Sequence, residues 1–137
     1  MISFTVEGVP APKGSMRAFK TRRGKVAVTH DNERTRPWGQ LVAWSARRAM
    51  ERRMPVSGPV AVCVAFYLPR PKSVKRPWPC VKPDVDKLQR ALLDAMTSIV
   101  WVDDGQVVSV RAVKHYADGG NRPRAVVSVD ELEDIEP

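Results

Sequence analysis

A chain of 137 residues with 23 Lys and Arg against 15 Asp and Glu, a net charge of +8 and a pI near 10 is one small, basic domain. That length excludes a two-domain nucleotide enzyme, and 43% hydrophobic residues suffice for a core without a disulfide framework. Cys63 lies in an apolar run and Cys80 among prolines, a usage that reads as reduced intracellular thiols. No signal-peptide pattern opens the chain and no run approaches the ~20 apolar residues of a membrane helix, so a soluble, cytoplasmic protein with no membrane partner is expected.

Met1 to Gly8 alternates Ile2, Phe4 and Val6 with polar residues, the signature of a half-buried strand. Lys13 to Lys25 is basic and broken by turn residues, and reads as a loop or hairpin. Pro37 in a first turn, followed by Trp38, Leu41, Val42, Ala46 and Ala49, predicts a helix to about Met54. Pro59 to Leu68 is apolar on both faces and predicts a central strand. Arg70 to Pro79, with prolines at 71, 77 and 79, cannot be regular. From Asp84 to about Ser98, Leu88, Ala91, Leu92, Ala95 and Ile99 form one stripe of an amphipathic helix. Gln106 to Tyr116 and Arg122 to Val129, separated by Asp118-Gly119-Gly120-Asn121, read as a hairpin. The expected fold is α+β: a single domain over residues 1–137 with a small mixed sheet, two main helices and the order β-α-β-α-β-β, residues 130–137 being a frayed acidic tail.

The charge is uneven. Residues 1–90 carry 19 basic and 6 acidic side chains, a balance of +13, whereas residues 91–137 carry 4 and 9, a balance of −5. Such a field attracts a polyanion, and nucleic acid is the commonest one for an intracellular basic domain; solubility alone is the plainer reading. Lys13 and Arg17 in the first basic segment, Lys72, Lys75 and Arg76 in the second, and Lys82 just beyond it are the expected phosphate contacts. Trp78 is placed either to stack on a base or to pack over the edge of the core.

Within the basic portion sit Asp84 and Asp86, at the start of the second predicted helix. Asp84 suits an N-cap, and Asp86 is spaced i,i+4 from Arg90. A second acidic pair, Asp103-Asp104, follows that helix and returns to its N-terminus only if the chain reverses between Thr97 and Trp101, because ~14 helical residues span ~21 Å. Convergent carboxylates without His or Cys suit a hard divalent cation, Mg²⁺ or Mn²⁺. A passive DNA-binding surface gains nothing from acids facing phosphates, so acids among basic loops favour phosphodiester hydrolysis over binding alone. A calcium loop fails, because Gln89 stands where it needs Gly and Ala95 where it needs Glu; His30, Cys63, Cys80 and His115 lack zinc-ligand spacing.

Lys82-Pro83-Asp84-Val85-Asp86-Lys87-Leu88-Gln89-Arg90-Ala91-Leu92-Leu93-Asp94-Ala95, followed by Trp101-Val102-Asp103-Asp104-Gly105-Gln106-Val107-Val108, resembles the RusA family of Holliday-junction resolvases. The resemblance is specific over about residues 82–114 and looser elsewhere. It implies a homodimeric, Mg²⁺-dependent endodeoxyribonuclease, bacterial or phage-encoded, that resolves four-way DNA junctions by paired symmetric nicks in recombination and repair. The family's metal-binding aspartates fall on Asp84, Asp86 and Asp104, with Asp103 adjacent. The family's essential lysine falls on Arg90, and an asparagine of some members falls on Lys87. Arg90 can clamp a phosphate but cannot give up a proton as a lysine can, which makes Lys87 the other candidate for that role. The alternative is a non-catalytic DNA-binding accessory protein with a degenerate nuclease site.

Overall fold

The computed structural model describes residues 1–13, 16–20, 26–30 and 34–133. Strands β1 (Ile2–Glu7), β4 (Val60–Pro69), β5 (Val107–Ala117) and β6 (Arg124–Glu131) form one mixed sheet in the order β1-β6-β4-β5. Strands β2 (Met16–Lys20) and β3 (Val26–His30) make a separate antiparallel hairpin, which adds two strands to the expected order. The side chain of Arg17 and the tail from 134 onward lie outside the described residues.

Strand β4 is central, as its apolar run requires. It pairs antiparallel with β6 and parallel with β5. Val60, Val62, Val64, Phe66 and Leu68 are buried on one face, whereas Cys63 on the other is exposed, so only one face carries the core. Helices α1 (Thr35–Met50) and α2 (Val85–Met96) supply the apolar stripes of that core: Trp38, Val42, Ala46 and Met50 from α1, and Leu88, Ala91, Leu92 and Met96 from α2. Helix α1 stops four residues short of the expectation, where Glu51 takes φ 55° and Arg53 donates to the carbonyls of Ala49 and Met50.

The expected hairpin of the last two strands does not form. Strands β5 and β6 flank β4 on opposite sides, and the Gly119-Gly120 segment steps over the end of β4 instead of turning tightly. The reason lies in β4: a strand needing partners at both edges draws β6 to one side and β5 to the other. Six residues easily span two strand spacings, about 10 Å. The result is a β4-α2-β5 unit, two parallel strands joined through a helix, whose strand C-termini and helix N-terminus meet at one end of the molecule.

Candidate functional site

The chain reverses where the acidic set needs it to. Ser98 has φ 74°, its amide donates to the Trp101 carbonyl at 2.7 Å, and the amide of Val100 donates to Met96 at 3.0 Å. Met96, Val100 and Trp101 are all fully buried, so burial drives the turn. It carries Asp103 and Asp104 into a short 3₁₀ turn, Asp104–Gln106, against the exposed side of α2.

A cavity of about 490 Å³ runs along that side, lined by Asp86, Arg90, Leu93 and Asp104 together with Lys87, Gln89 and Asp94. Asp86, Arg90 and Leu93 stand four and three residues apart on one helical stripe, which Thr97 continues. Thr97 Oγ1 hydrogen-bonds the Asp104 carboxylate and accepts the buried indole N–H of Trp101 at 3.1 Å. Asp104 is therefore held beside Thr97, the C-cap residue of α2, and lines one cavity with Asp86 and Arg90.

Asp84 occupies the N-cap position of α2 but makes no side-chain cap hydrogen bond, so its carboxylate is not spent on the helix. Nor, among the described residues, do Asp86 and Arg90 form an ion pair. Asp84 lines a second cavity, of about 480 Å³, and Lys87 lines both. Asp103 acts structurally: its carboxylate accepts the Gly105 amide at 2.9 Å as part of a capping box.

Among the described residues, no group of three His, Cys, Asp or Glu side chains is placed to hold a metal ion. The donor set available at the N-terminus of α2 is two exposed carboxylates, Asp84 and Asp86. Such a pair fits Mg²⁺, which binds through one or two carboxylates while keeping waters and taking substrate phosphate oxygens.

Two positioning residues were not singled out from the sequence. Gln106 Oε1 accepts the amides of Val102 and Asp103, both at 2.8 Å, while its Nε2 donates to the carbonyls of Val56 at 2.7 Å and Gly58 at 2.9 Å. It thereby fastens the Asp104 turn to the segment before β4. Lys114 on β5 donates to the carbonyls of Val81 and Pro83, each at 2.8 Å, and fixes the approach to Asp84. Only the adjacency of Gln106 to Asp103-Asp104 hinted at the first of these; Lys114 carried no local signal.

The expected phosphate contacts divide. Lys72, Lys75 and Lys82 are exposed. Lys13 is paired with Asp94 at 2.9 Å, and its backbone amide donates to Lys87, tying the segment before β2 to α2. Arg76 is partly buried and lines the second cavity. Trp78 remains 54% exposed and lies against His115, 5.3 Å between centroids, which in turn stacks on Tyr67.

Arg70 holds the proline-rich loop. It bonds both oxygens of Asp118 at 2.7 and 3.0 Å, donates to the carbonyls of Val74 and Arg76, and lies 4.1 Å above the Tyr116 ring. Those hydrogen bonds hold the Asp118 carboxyl below the ordinary carboxylate range, against an opposing effect of desolvation. The contribution of this ion pair is complete above the ordinary carboxylate pKa and is lost as pH falls through the depressed value. Carboxyl-carbon NMR should show Asp118 titrating below the ordinary carboxylate range, and Arg70→Gln should move it back toward that range; an Asp118 that titrates normally would contradict the staple.

The Thr97 relay gives a second expectation. Thr97→Val removes the acceptor of the buried Trp101 indole and releases Asp104, and should cost about 1–3 kcal/mol in denaturant unfolding. A loss under about 0.5 kcal/mol would mean that the indole finds another partner.

The family model described as endodeoxyribonuclease RusA matches residues 8–130. The chain belongs to the RusA endodeoxyribonuclease family. It is 32% identical over 143 residues to YqaN of Bacillus subtilis, an uncharacterized protein, the alignment covering 96% of each chain. It is 29% identical over 118 residues to the crossover junction endodeoxyribonuclease RusA of Escherichia coli K12, covering 83% of this chain and 85% of that one. The enzyme of the same name from Shigella sonnei is 27% identical over the same span. No helix among the described residues is long and apolar enough to cross a membrane.

Proposed function

We propose that the protein resolves four-way DNA junctions, as a homodimer that makes paired symmetric nicks in the presence of Mg²⁺. The observation that carries this reading is the two carboxylates Asp84 and Asp86 at the start of α2, which make no cap hydrogen bond and no ion pair among the described residues, inside the basic portion of a RusA-family chain. Carboxylates left without a structural role among cations are costly beside a polyanion unless a divalent ion joins them to it.

In this reading Asp84 and Asp86 would hold the ion, and Asp104, which lines one cavity with Asp86, would complete the acidic set. Mg²⁺ would supply an activated water and polarise the phosphoryl oxygen. Arg90, which lines one cavity with Asp86 and Asp104, would meet the charge that develops on the phosphate; Lys87, which lines both cavities, is the cation able to hand a proton to the leaving oxygen. Lys13, Arg17, Lys72, Lys75, Arg76 and Lys82 hold the backbone. Two sites related by a two-fold axis match a two-fold junction, which is why a dimer is required.

Purified protein should nick a four-way junction and spare a linear duplex of the same sequence in Mg²⁺, and should nick neither in EDTA. Among the described residues the acidic side chains are not gathered as a three-ligand cluster, and that observation favours the second reading, a DNA-binding accessory protein. It predicts salt-sensitive junction binding with no product.

A further inference from the structure

Trp78 stands 54% exposed in the proline-rich segment although the chain on either side of it is pinned. Before it, Arg70 donates to the carbonyls of Val74 and Arg76; after it, Lys114 donates to those of Val81 and Pro83. The amide of Cys80 donates to the Trp78 carbonyl at 2.9 Å, and Pro79 between them is buried. The indole is therefore held out from a fixed loop.

What the indole leans on is not the apolar core. Tyr67 on β4 stands in register with His115 on β5 and with Arg124 on β6, a row across the sheet face that carries the exposed Cys63. The Arg124 guanidinium lies 4.0 Å from the centre of the Tyr67 ring, His115 stacks on Tyr67 at 5.2 Å, and Trp78 adds to His115 at 5.3 Å. Four flat groups thus form a ladder that ends in a ring with more than half of its surface in water. Leaving so large an apolar ring wet forgoes burial energy. A rigid, braced and exposed ring binds a flat partner with little further loss of entropy.

The place of the ring suits a nucleic acid. Trp78 and Val85 line one hollow of about 270 Å³, and Val85 is the first residue of α2, between Asp84 and Asp86. Lys75 and Lys82 are exposed on the same segment. A ring among cations matches what a DNA strand offers, the face of a base beside the charge of a phosphate.

We propose that Trp78 stacks on a nucleobase exposed at the branch point and so sets the junction strand against the start of α2. The proposal rests on the junction-resolving reading and deepens it: the stack separates a branch from a continuous duplex. Bases inside a duplex have both faces covered, whereas disturbed pairing exposes one at low cost.

The test measures equilibrium binding of the full chain in EDTA to a four-way junction and to a linear duplex of the same sequence. Trp78→Leu should weaken junction binding about tenfold and duplex binding less than about twofold. The slope of log affinity against log salt should stay unchanged, because a stack releases no counterions. Trp78→Phe, which keeps a ring, should bind the junction within about threefold of wild type. A single abasic nucleotide moved stepwise across the branch point should weaken wild-type binding about tenfold at one position, and at that position Trp78→Leu should cost nothing further. Equal weakening on both DNAs, a shallower salt slope, leucine serving as well as phenylalanine, or losses that add at every abasic position would each overturn the proposal. Cleavage of the intact junction in Mg²⁺ is read separately. A junction-selective effect of Trp78 without nicks keeps the stack and refutes the nuclease; nicks without that effect do the reverse.

Discussion

Asp86→Asn is expected to reduce junction cleavage in Mg²⁺ by at least about 100-fold while leaving junction affinity in EDTA unchanged or slightly tighter. The two halves of that result come from one cause. Asp86 lies in the first turn of α2, exposed and without an ion-pair partner among the described residues, so removing its charge costs the fold no more than the helix-dipole contribution, about 0.3–1 kcal/mol. DNA binding loses nothing, because a carboxylate facing phosphates repels them. Only a step that needs the negative charge suffers. Quantitative cleavage alongside equilibrium binding on the same junction checks both halves. An Asp86→Asn protein that cuts like wild type would remove Asp86 from the site, and one that fails to bind would mean the substitution had disturbed the structure.

Gln106→Ala is expected to lower stability by about 2–4 kcal/mol, or roughly 6–15 °C in melting temperature for a domain of this size. The side chain uses both ends at once: two amides of the Asp104 turn on its oxygen, and two carbonyls of residues 56 and 58 on its nitrogen. Alanine removes all four bonds and unfastens the turn from the segment before β4. Cleavage should also fall at temperatures where the variant remains folded, since Asp104 loses its second anchor while Thr97 keeps the first. Gln106→Glu, which keeps the acceptor and loses the donor, should retain part of both properties. A Gln106→Ala protein with wild-type melting and cleavage would show that the Asp103 carboxylate, through the Gly105 amide, sets the turn without the Gln106 side chain.

What could be read from the residues alone follows a physical division. The half-buried β1, the central β4 and the stripes of α1 and α2 were legible because each element records its own burial in its own periodicity. The pairing of β5 and β6 was not, because Asp118-Gly119-Gly120-Asn121 signals a change of direction without recording that β4 lies between the strands. The same limit governs the site. Asp84, Asp86 and Asp104 stood out by local spacing; the chain does reverse between Thr97 and Trp101, but it leaves Asp104 on Thr97 at the C-terminal end of α2, and among the described residues the three carboxylates are not gathered as one group. Gln106 and Lys114 did not stand out, because their partners lie 31 to 50 residues away. Arg70 was hidden in a run of like charge. Its neighbours Lys72 and Lys75 are exposed, whereas Arg70 is consumed by Asp118, two carbonyls and Tyr116.

The distribution of charge connects these parts. The +13 of residues 1–90 surrounds two carboxylates that make no cap and no ion pair among the described residues, and the acidic remainder of the chain contributes Asp104 through one buried turn. Both cavities open along α2, with Lys87 between them. The acidic groove and the second cavity are therefore neighbours at α2.

The most direct measurement labels each of the four strands of one junction in turn and maps the products of the wild-type protein in Mg²⁺ and in EDTA. Nicks at symmetric positions on two opposite strands, present in Mg²⁺ and absent in EDTA, are the predicted result. A junction that is bound but intact on all four strands in Mg²⁺ would contradict the account.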